Sequence, residues 1–259
     1  MDDFLRQYGP VAVVTGASSG IGRSFATELA GRGLDLVLVA RRHDRLKELA
    51  DTLRAAHGVE VTVVPADLAD PAAAGEILDA VSGLDVGLLV SNAGFGVKGP
   101  FEEGDSATLS SMLMVNCQAP TQLAHGLAPR LKRRGRGGVI FTSSVEGLIG
   151  CPYSAGYSAT KAYVVALGEA LWAEFAPSGV DVLTLCPGAT DTEAPRNQGI
   201  DPATLHDLMS PDDVARAALD NLRNGPTHIP SDHYRGLFDT LLAMPRGEAL
   251  TAMARQTGK

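Results

Sequence analysis

The chain is predicted to form a doubly wound α/β fold, a parallel sheet of six or seven strands with helices on both faces. Three observations predict it. Short β-branched runs alternate with longer amphipathic segments. The runs are apolar almost throughout, as strands covered on both faces are. A glycine-rich turn follows the first run directly. Alternation of this kind closes through right-handed crossovers, and ligands of such sheets bind beyond the carboxyl ends of the strands, at the switch point.

The first strand is Val11–Thr15, and the helix-like stretch after its turn covers 20–32. Strands at Asp35–Ala40, Val59–Pro65 and Val86–Val90 alternate with helix-like stretches at 43–57 and 71–82. A long helix is expected over 105–134, where Lys132, Arg133, Arg134 and Arg136 complement the dipole and Gly135, Gly137 or Gly138 ends it. Strand Gly138–Ser143, helix 154–176 and strand Val180–Cys186 follow. Ser210 as N-cap and Pro211 at the first helical position open a helix over 211–224, with a short seventh strand at Thr227–Ile229.

No linker, repeat or low-complexity tract divides the 259 residues, so a single domain over 1–259 is expected. Within it, 189–210 reads as a substrate lid and about 225–259 as a C-terminal extension. In that extension Leu237, Phe238, Leu241 and Leu242 have helical spacing; they could cover the pocket, pack on a neighbouring subunit or touch a membrane surface. The net charge of −8 argues against general nucleic-acid binding. Cys117, Cys151 and Cys186 are odd in number and far apart, which fits reduced thiols rather than disulfides or a zinc framework. The acidic start Met1-Asp2-Asp3 lacks a signal peptide's basic residues, and no apolar run approaches the ~18 residues that span a bilayer. A cytoplasmic protein with no transmembrane segment is expected.

The turn Thr15-Gly16-Ala17-Ser18-Ser19-Gly20-Ile21-Gly22 leads from the first strand into the first long helix. Gly16, Gly20 and Gly22 allow close backbone approach, and the helix N-terminus offers free N–H groups to a pyrophosphate. The spacing is G-x-x-x-G-x-G, not the commoner G-x-G-x-x-G. After the second strand, Arg41 and Arg42 stand where an acid would accept hydrogen bonds from an NAD ribose; two guanidinium groups suit a phosphate, unless they are solvated charges opening the next helix. NADP(H) is therefore the preferred cofactor, with NAD(H) as the alternative. Tyr157 and Lys161, four apart on a helix, share one face. A lysine about 5 Å from the phenol, at an effective dielectric near 20, favours phenolate by ~3 kcal/mol, roughly two pKa units. The phenol then nears working pH, where it exchanges a proton with an alcohol or carbonyl oxygen.

These residues resemble the short-chain dehydrogenase/reductase family, whose members share a Rossmann fold, and the resemblance runs to about residue 195. Thr15–Gly22 is similar to the family's cofactor turn, Asp67-Leu68 to its adenine-contacting acid, and Ser91-Asn92-Ala93-Gly94 to its Asn-Asn-Ala-Gly. Pro187-Gly188-Ala189-Thr190-Asp191-Thr192 resembles the loop that seats the nicotinamide. Gly188, Thr190 and Thr192 would then touch the cofactor with Pro187, Asn92, Ala93, Gly94, Ile21, Ser18 and Ser19. Asn116, Ser144, Tyr157 and Lys161 match the catalytic tetrad.

The resemblance implies that Tyr157 exchanges the proton and that Ser144 hydrogen-bonds the substrate oxygen. Lys161 would depress the tyrosine and hold the nicotinamide ribose, while Asn116 helps hold a water linking Lys161 to solvent. No metal is required. It also implies a homodimer or homotetramer through 105–134 and 154–176. Three departures stand out: Ser91 for asparagine, where a strand-end buttress is expected; Thr190 for valine; and Glu146 for alanine. Glu146 either hydrogen-bonds within its loop or sets a carboxylate beside the substrate. Since successive side chains oppose one another, only one of Ser143 and Ser144 can face the cleft. The expected activity is reversible reduction of a carbonyl to a secondary alcohol by hydride transfer. The alternative is a non-catalytic dinucleotide-binding redox sensor or scaffold.

Overall fold

The computed structural model describes residues 3–257; Met1 and Asp2 of the acidic start lie outside them. Seven strands form one parallel sheet in the order β3-β2-β1-β4-β5-β6-β7: β1 Val11–Thr15, β2 Asp35–Ala40, β3 Val61–Pro65, β4 Val86–Ser91, β5 Gly137–Thr142, β6 Val180–Leu185 and β7 Thr227–His228. β1, β4 and β5 are buried at every residue. That is why they carry uninterrupted apolar sequence instead of alternation. The order reverses between β1 and β4, which pair directly, so the chain ends leaving these two strands flank the switch point.

The helices are α1 Asp3–Tyr8, α2 Gly20–Gly31, α3 His43–His57, α4 Ala73–Ala80, α5 Ser106–Leu113, α6 Ala119–Arg134, α7 Ala155–Phe175, α8 Glu193–Asn197, α9 Pro211–Asp220, α10 Asp232–Ala243 and α11 Arg246–Thr257. One core cluster joins α2, α3 and α9 to one face of the sheet, through Phe25, Leu29, Leu46 and Leu219. A second joins α4, α6 and α7 to the other face, through Ile77, Leu123, Leu127 and Val164. Ser210 caps α9 by accepting from Asp213 N, with Pro211 next, as the sequence implies.

Several boundaries differ from expectation. The third strand starts at Val61, not Val59, and the helix expected over 211–224 ends at Asp220, with a 3-10 turn at Leu222–Asn224. The run expected as one helix over 105–134 is helical throughout, but Met114–Gln118 widens into a π turn between α5 and α6. It ends at Gly135 in the left-handed region (φ 65°), directly after the basic residues. Near the amino ends of the strands, Arg134 pairs with Asp85 (2.8 Å) and donates to Gly9 O (2.6 Å), while the Tyr8 hydroxyl donates to Asp181 (2.8 Å).

The C-terminal helices close a third cluster. Phe238 of α10 and Ala249 of α11 are buried with Val145, Ile149 and Cys151, which follow β5. The extension therefore packs on its own chain, with Phe238 and Leu241 inward and Leu237 and Leu242 exposed. All three cysteines are unpaired. Among the described residues, no helix is long and apolar enough to cross a membrane, and no three His, Cys, Asp or Glu side chains gather as a metal site.

Candidate active site

Gly16 (φ 69°) and Gly20 (φ 53°) take left-handed backbone, which side-chain-bearing residues rarely adopt. At Gly22 a Cβ would lie 2.3 Å from the Gly16 carbonyl oxygen. The turn after β1 is thus built to bring backbone close to backbone. It is braced from β4: Asn92 Nδ2 donates to Thr15 O (3.2 Å), and Thr15 Oγ1 accepts from Asn92 N and Ala93 N (both 3.0 Å). Ser91, in place of the family's asparagine, is buried at the end of β4, and Asn92 supplies the brace. Asn92's side-chain amide is committed to Thr15, which leaves Ala93 and Gly94 to border the cleft.

α2 begins at Ser19, whose backbone is extended and whose side chain caps nothing, so the first-turn N–H groups carry no side-chain cap. Ile21, half-buried, packs on the core beneath. The Ser18 and Ser19 hydroxyls accept instead from Arg42, through Nε to Ser18 (3.2 Å) and Nη2 to Ser19 (2.6 Å). Arg41 is exposed. Asp67, after β3, accepts from Ala69 N (3.1 Å), and Leu68 is buried behind it. Uncapped N–H groups, two hydroxyls, two guanidinium groups and glycines with no room for a Cβ fit a dinucleotide's phosphates.

Beside this turn, Asn116, Ser144, Tyr157 and Lys161 converge. The π turn carries Asn116 inward, where Nδ2 donates to Phe95 O (2.8 Å) and Thr160 Oγ1 (2.9 Å) and Oδ1 accepts from Phe95 N (3.1 Å). Ser144 and Ser143 diverge as strand geometry requires. Ser143 donates to Lys161 O (2.8 Å), while Ser144 accepts from Glu146 N (3.2 Å) and faces Tyr157. Accepting that bond leaves the Ser144 proton free to donate toward the cleft. The Tyr157 ring packs so closely on Gly96 that a Cβ there would lie 2.6 Å from it.

The electrostatics correct one expectation. Lys161 Nζ is 5.6 Å from the Tyr157 ring centroid, near the expected separation, but its proton goes to Thr142 O (2.8 Å). Burial pushes the Tyr157 phenol above its ordinary value, the Glu146 carboxylate adds to this, and Ser144 pulls the other way. Burial also pulls Lys161 down to about 8. Desolvation disfavours both charged forms at once, so burial acts against the effect expected of Lys161.

Glu146 is tied into its surroundings by hydrogen bonds, the first of the two alternatives considered for it. It pairs with Lys98 (2.5 Å), accepts from Ser154 Oγ (2.6 Å), and keeps a carboxylate in the field of Tyr157. Nothing in the sequence singles out Lys98. Only the fold supplies its partner, 48 residues away.

After β6, Pro187 O accepts from Val145 N (3.1 Å). Gly188 lies under Tyr234 of α10, 2.1 Å from where its Cβ would be. Thr190 is buried, its hydroxyl turned onto Gly188 O (3.2 Å); Thr192 caps α8 through Ala194 N (3.2 Å). The base of the expected lid is fastened by Asp191 N to Met209 O (2.9 Å) and Met209 N to Ala189 O (3.1 Å). Tyr234 and Glu193, which meets Arg42 and Arg45, went unnoticed in the sequence; no local pattern marks either.

Residues 10–202 match the model of the short chain dehydrogenase family. A 7beta-hydroxysteroid dehydrogenase of Clostridium sardiniense is 32% identical over 254 residues, 98% of this chain and 97% of that protein. A short-chain dehydrogenase from Sphingobium yanoikuyae, solved in complex with NADPH, superposes with a TM-score of 0.84 at 36% identity over 95% of both chains. A 7beta-hydroxysteroid dehydrogenase solved in a study of stereoselectivity gives 0.90 at 27% identity, covering 98% of this chain and all of that one.

Proposed function

The chain belongs to the short-chain dehydrogenase family, and from that premise we propose that it is an NADP(H)-dependent oxidoreductase interconverting a carbonyl and a secondary alcohol, with Tyr157 as acid and base. The observation that carries this reading is the convergence of Asn116, Ser144, Tyr157 and Lys161 beside a glycine turn at the switch point. A sensor or scaffold has no need of all four.

Gly16, Ser18, Ser19, Gly20 and Gly22 would hold the pyrophosphate, Arg41 and Arg42 a 2′-phosphate, Asp67 and Leu68 the adenine, and the 187–192 loop the nicotinamide. NAD(H) is the alternative cofactor. When bound, the nicotinamide supplies the carbon that gives or takes hydride. The protein's own residues do the rest. Ser144 donates to the substrate oxygen as charge develops there. Tyr157 gives its proton to that oxygen during reduction and removes it during oxidation. Lys161, whose burial leaves it titrating near neutrality, would hold the ribose and return a proton toward the phenol, with Asn116 fixing the loop that borders it.

The reading takes 1–259 as one domain, with the lid at 189–210 and the extension from 225 forming a wall of the pocket. The buried cluster of Val145, Ile149, Phe238 and Ala249 backs that wall, and the hydroxysteroid relatives support a bulky ring ketone as substrate. Exposed Leu113, Tyr163 and Trp172 on α5 and α7 support assembly into a homodimer or homotetramer through those helices. Three unpaired cysteines support a reducing, cytoplasmic setting. The test is NADPH oxidation across 7-oxosteroids, 3-oxoacyl thioesters and bulky aryl ketones, repeated with Tyr157→Phe. Turnover of at least one ketone is expected to fall by a thousandfold or more; turnover surviving the substitution refutes the assignment.

A further inference from the structure

Arg42, one of the two cations expected to meet a cofactor phosphate, already holds a carboxylate, together with Arg45. Glu193, the first residue of α8, places Oε2 2.8 Å from Arg42 Nη1 and Oε1 2.6 Å from Arg45 Nη1. Both arginines sit at the start of α3, and Arg42 also grips Ser18 and Ser19 of the glycine turn. One lid carboxylate therefore bridges α8 to α3 across the mouth of the turn. The two guanidinium groups hold its acid well down, to about 2, so it is charged at any working pH. Thr192, just before it, packs its methyl where a Cβ on Gly20 would go. The lid thus touches the cofactor turn through Thr192 and reaches it through Glu193 on Arg42. It is also held by Tyr234 Oη donating to His206 O (3.0 Å), by Ser231 Oγ donating to Asp207, and at its base by Asp191 N donating to Met209 O.

We infer that Glu193 is a cofactor-discriminating latch, standing in for a phosphate on Arg42 and Arg45 until the 2′-phosphate of NADP(H) displaces it. The inference rests on the NADP(H) reading above and adds a residue to it. A phosphate dianion arriving at Arg42 meets Glu193 as a like charge and competes for the same donors. Taking Arg42 and Arg45 undoes the bridge and unfastens α8 from α3. A cofactor with a bare 2′-hydroxyl carries no such charge and leaves the bridge intact. Cofactor identity is then transmitted to the lid over the substrate, and Glu193 raises the threshold that the phosphate must overcome.

The test needs no substrate. NADPH and NADH binding to the full-length protein are measured by fluorescence titration for wild type, Glu193→Gln and Arg42→Ala. Amide hydrogen exchange across 192–200 is followed with each cofactor. Glu193→Gln is expected to tighten NADPH by about two- to fivefold, the range of an ion pair exposed on both partners, and to leave NADH unchanged. In wild type, NADPH but not NADH should speed exchange across 192–200, and in Glu193→Gln exchange should already be fast with either.

If Arg42→Ala collapses the NADPH/NADH ratio while Glu193→Gln leaves both the ratio and the exchange unchanged, the latch is overturned and the NADP(H) reading stands. If Arg42→Ala and Arg41→Ala both leave the ratio unchanged, the NADP(H) reading fails and the latch falls with it.

Discussion

Lys161→Met is expected to abolish turnover and yet stabilise the fold at neutral pH. The Lys161 side chain is buried, and burial lowers its folded-state value from the ordinary 10.5 to about 8. Below pH 8 the folded chain carries the cost of a charged ammonium in full. Between about 8 and 10.5 the unfolded chain binds a proton that the folded chain releases, so wild-type stability rises with pH across that window. At about 1.4 kcal/mol per pH unit, the cost at neutrality is on the order of 3 kcal/mol. Methionine removes it but orphans the Thr142 carbonyl, which Lys161 Nζ reaches at 2.8 Å, a loss of ~1–2 kcal/mol. The net expectation is a variant about 1–2 kcal/mol more stable at pH 7, with the advantage gone or reversed near pH 10. Urea denaturation of both proteins at pH 7 and near pH 10, without added nucleotide, measures it. A variant less stable at pH 7, or a difference that does not shrink as pH rises, refutes the reasoning.

Two further expectations concern the same cleft. Lys98 Nζ lies 5.8 Å from the Tyr157 ring centroid. A lone charge there, at an effective dielectric near 20, is worth ~3 kcal/mol; Glu146, 2.5 Å from the ammonium, cancels most of it. Lys98→Met should therefore move the tyrosine limb of the pH–turnover profile up by about half to one unit, and Glu146→Gln should move it down by a similar amount. Shifts in the same direction would exclude this electrostatic account. Gly22→Ala forces a Cβ to within 2.3 Å of Gly16 O and 2.6 Å of Asn92 Nδ2. It should weaken NADPH binding at least tenfold and cost ~2 kcal/mol of stability, read by fluorescence titration and thermal unfolding. Near wild-type binding would refute the close packing argued for the turn.

Much of the scaffold was legible because β1, β4 and β5 are buried apolar runs and the helices α3 and α6 end on left-handed glycines, Gly58 and Gly135. The glycine turn and the Tyr157–Lys161 pair were legible because their spacing encodes geometry directly. What escaped was non-local. A helical period continues unchanged through Met114–Gln118, so no pattern marks the π turn. The α1 helix buries only Tyr8, and the five residues of α8 are too short to show a periodic face. Lys98 with Glu146, and Glu193 with Arg42 and Arg45, are matched by the fold across dozens of residues. The phenol's surroundings were only half legible for a related reason: spacing gives the distance to the cation but not the burial, which pushes the phenol up.

Chemistry and anchorage occupy opposite rims of the sheet. The Arg134–Asp85 and Tyr8–Asp181 contacts fasten one rim; six-residue strands separate them from Tyr157's rim by roughly 20 Å. Changes that far apart combine almost independently. Reinforcing the anchored rim could therefore compensate for tolerance lost to remodelling of the pocket, and a combinatorial library could diversify the two sets separately and recombine the winners.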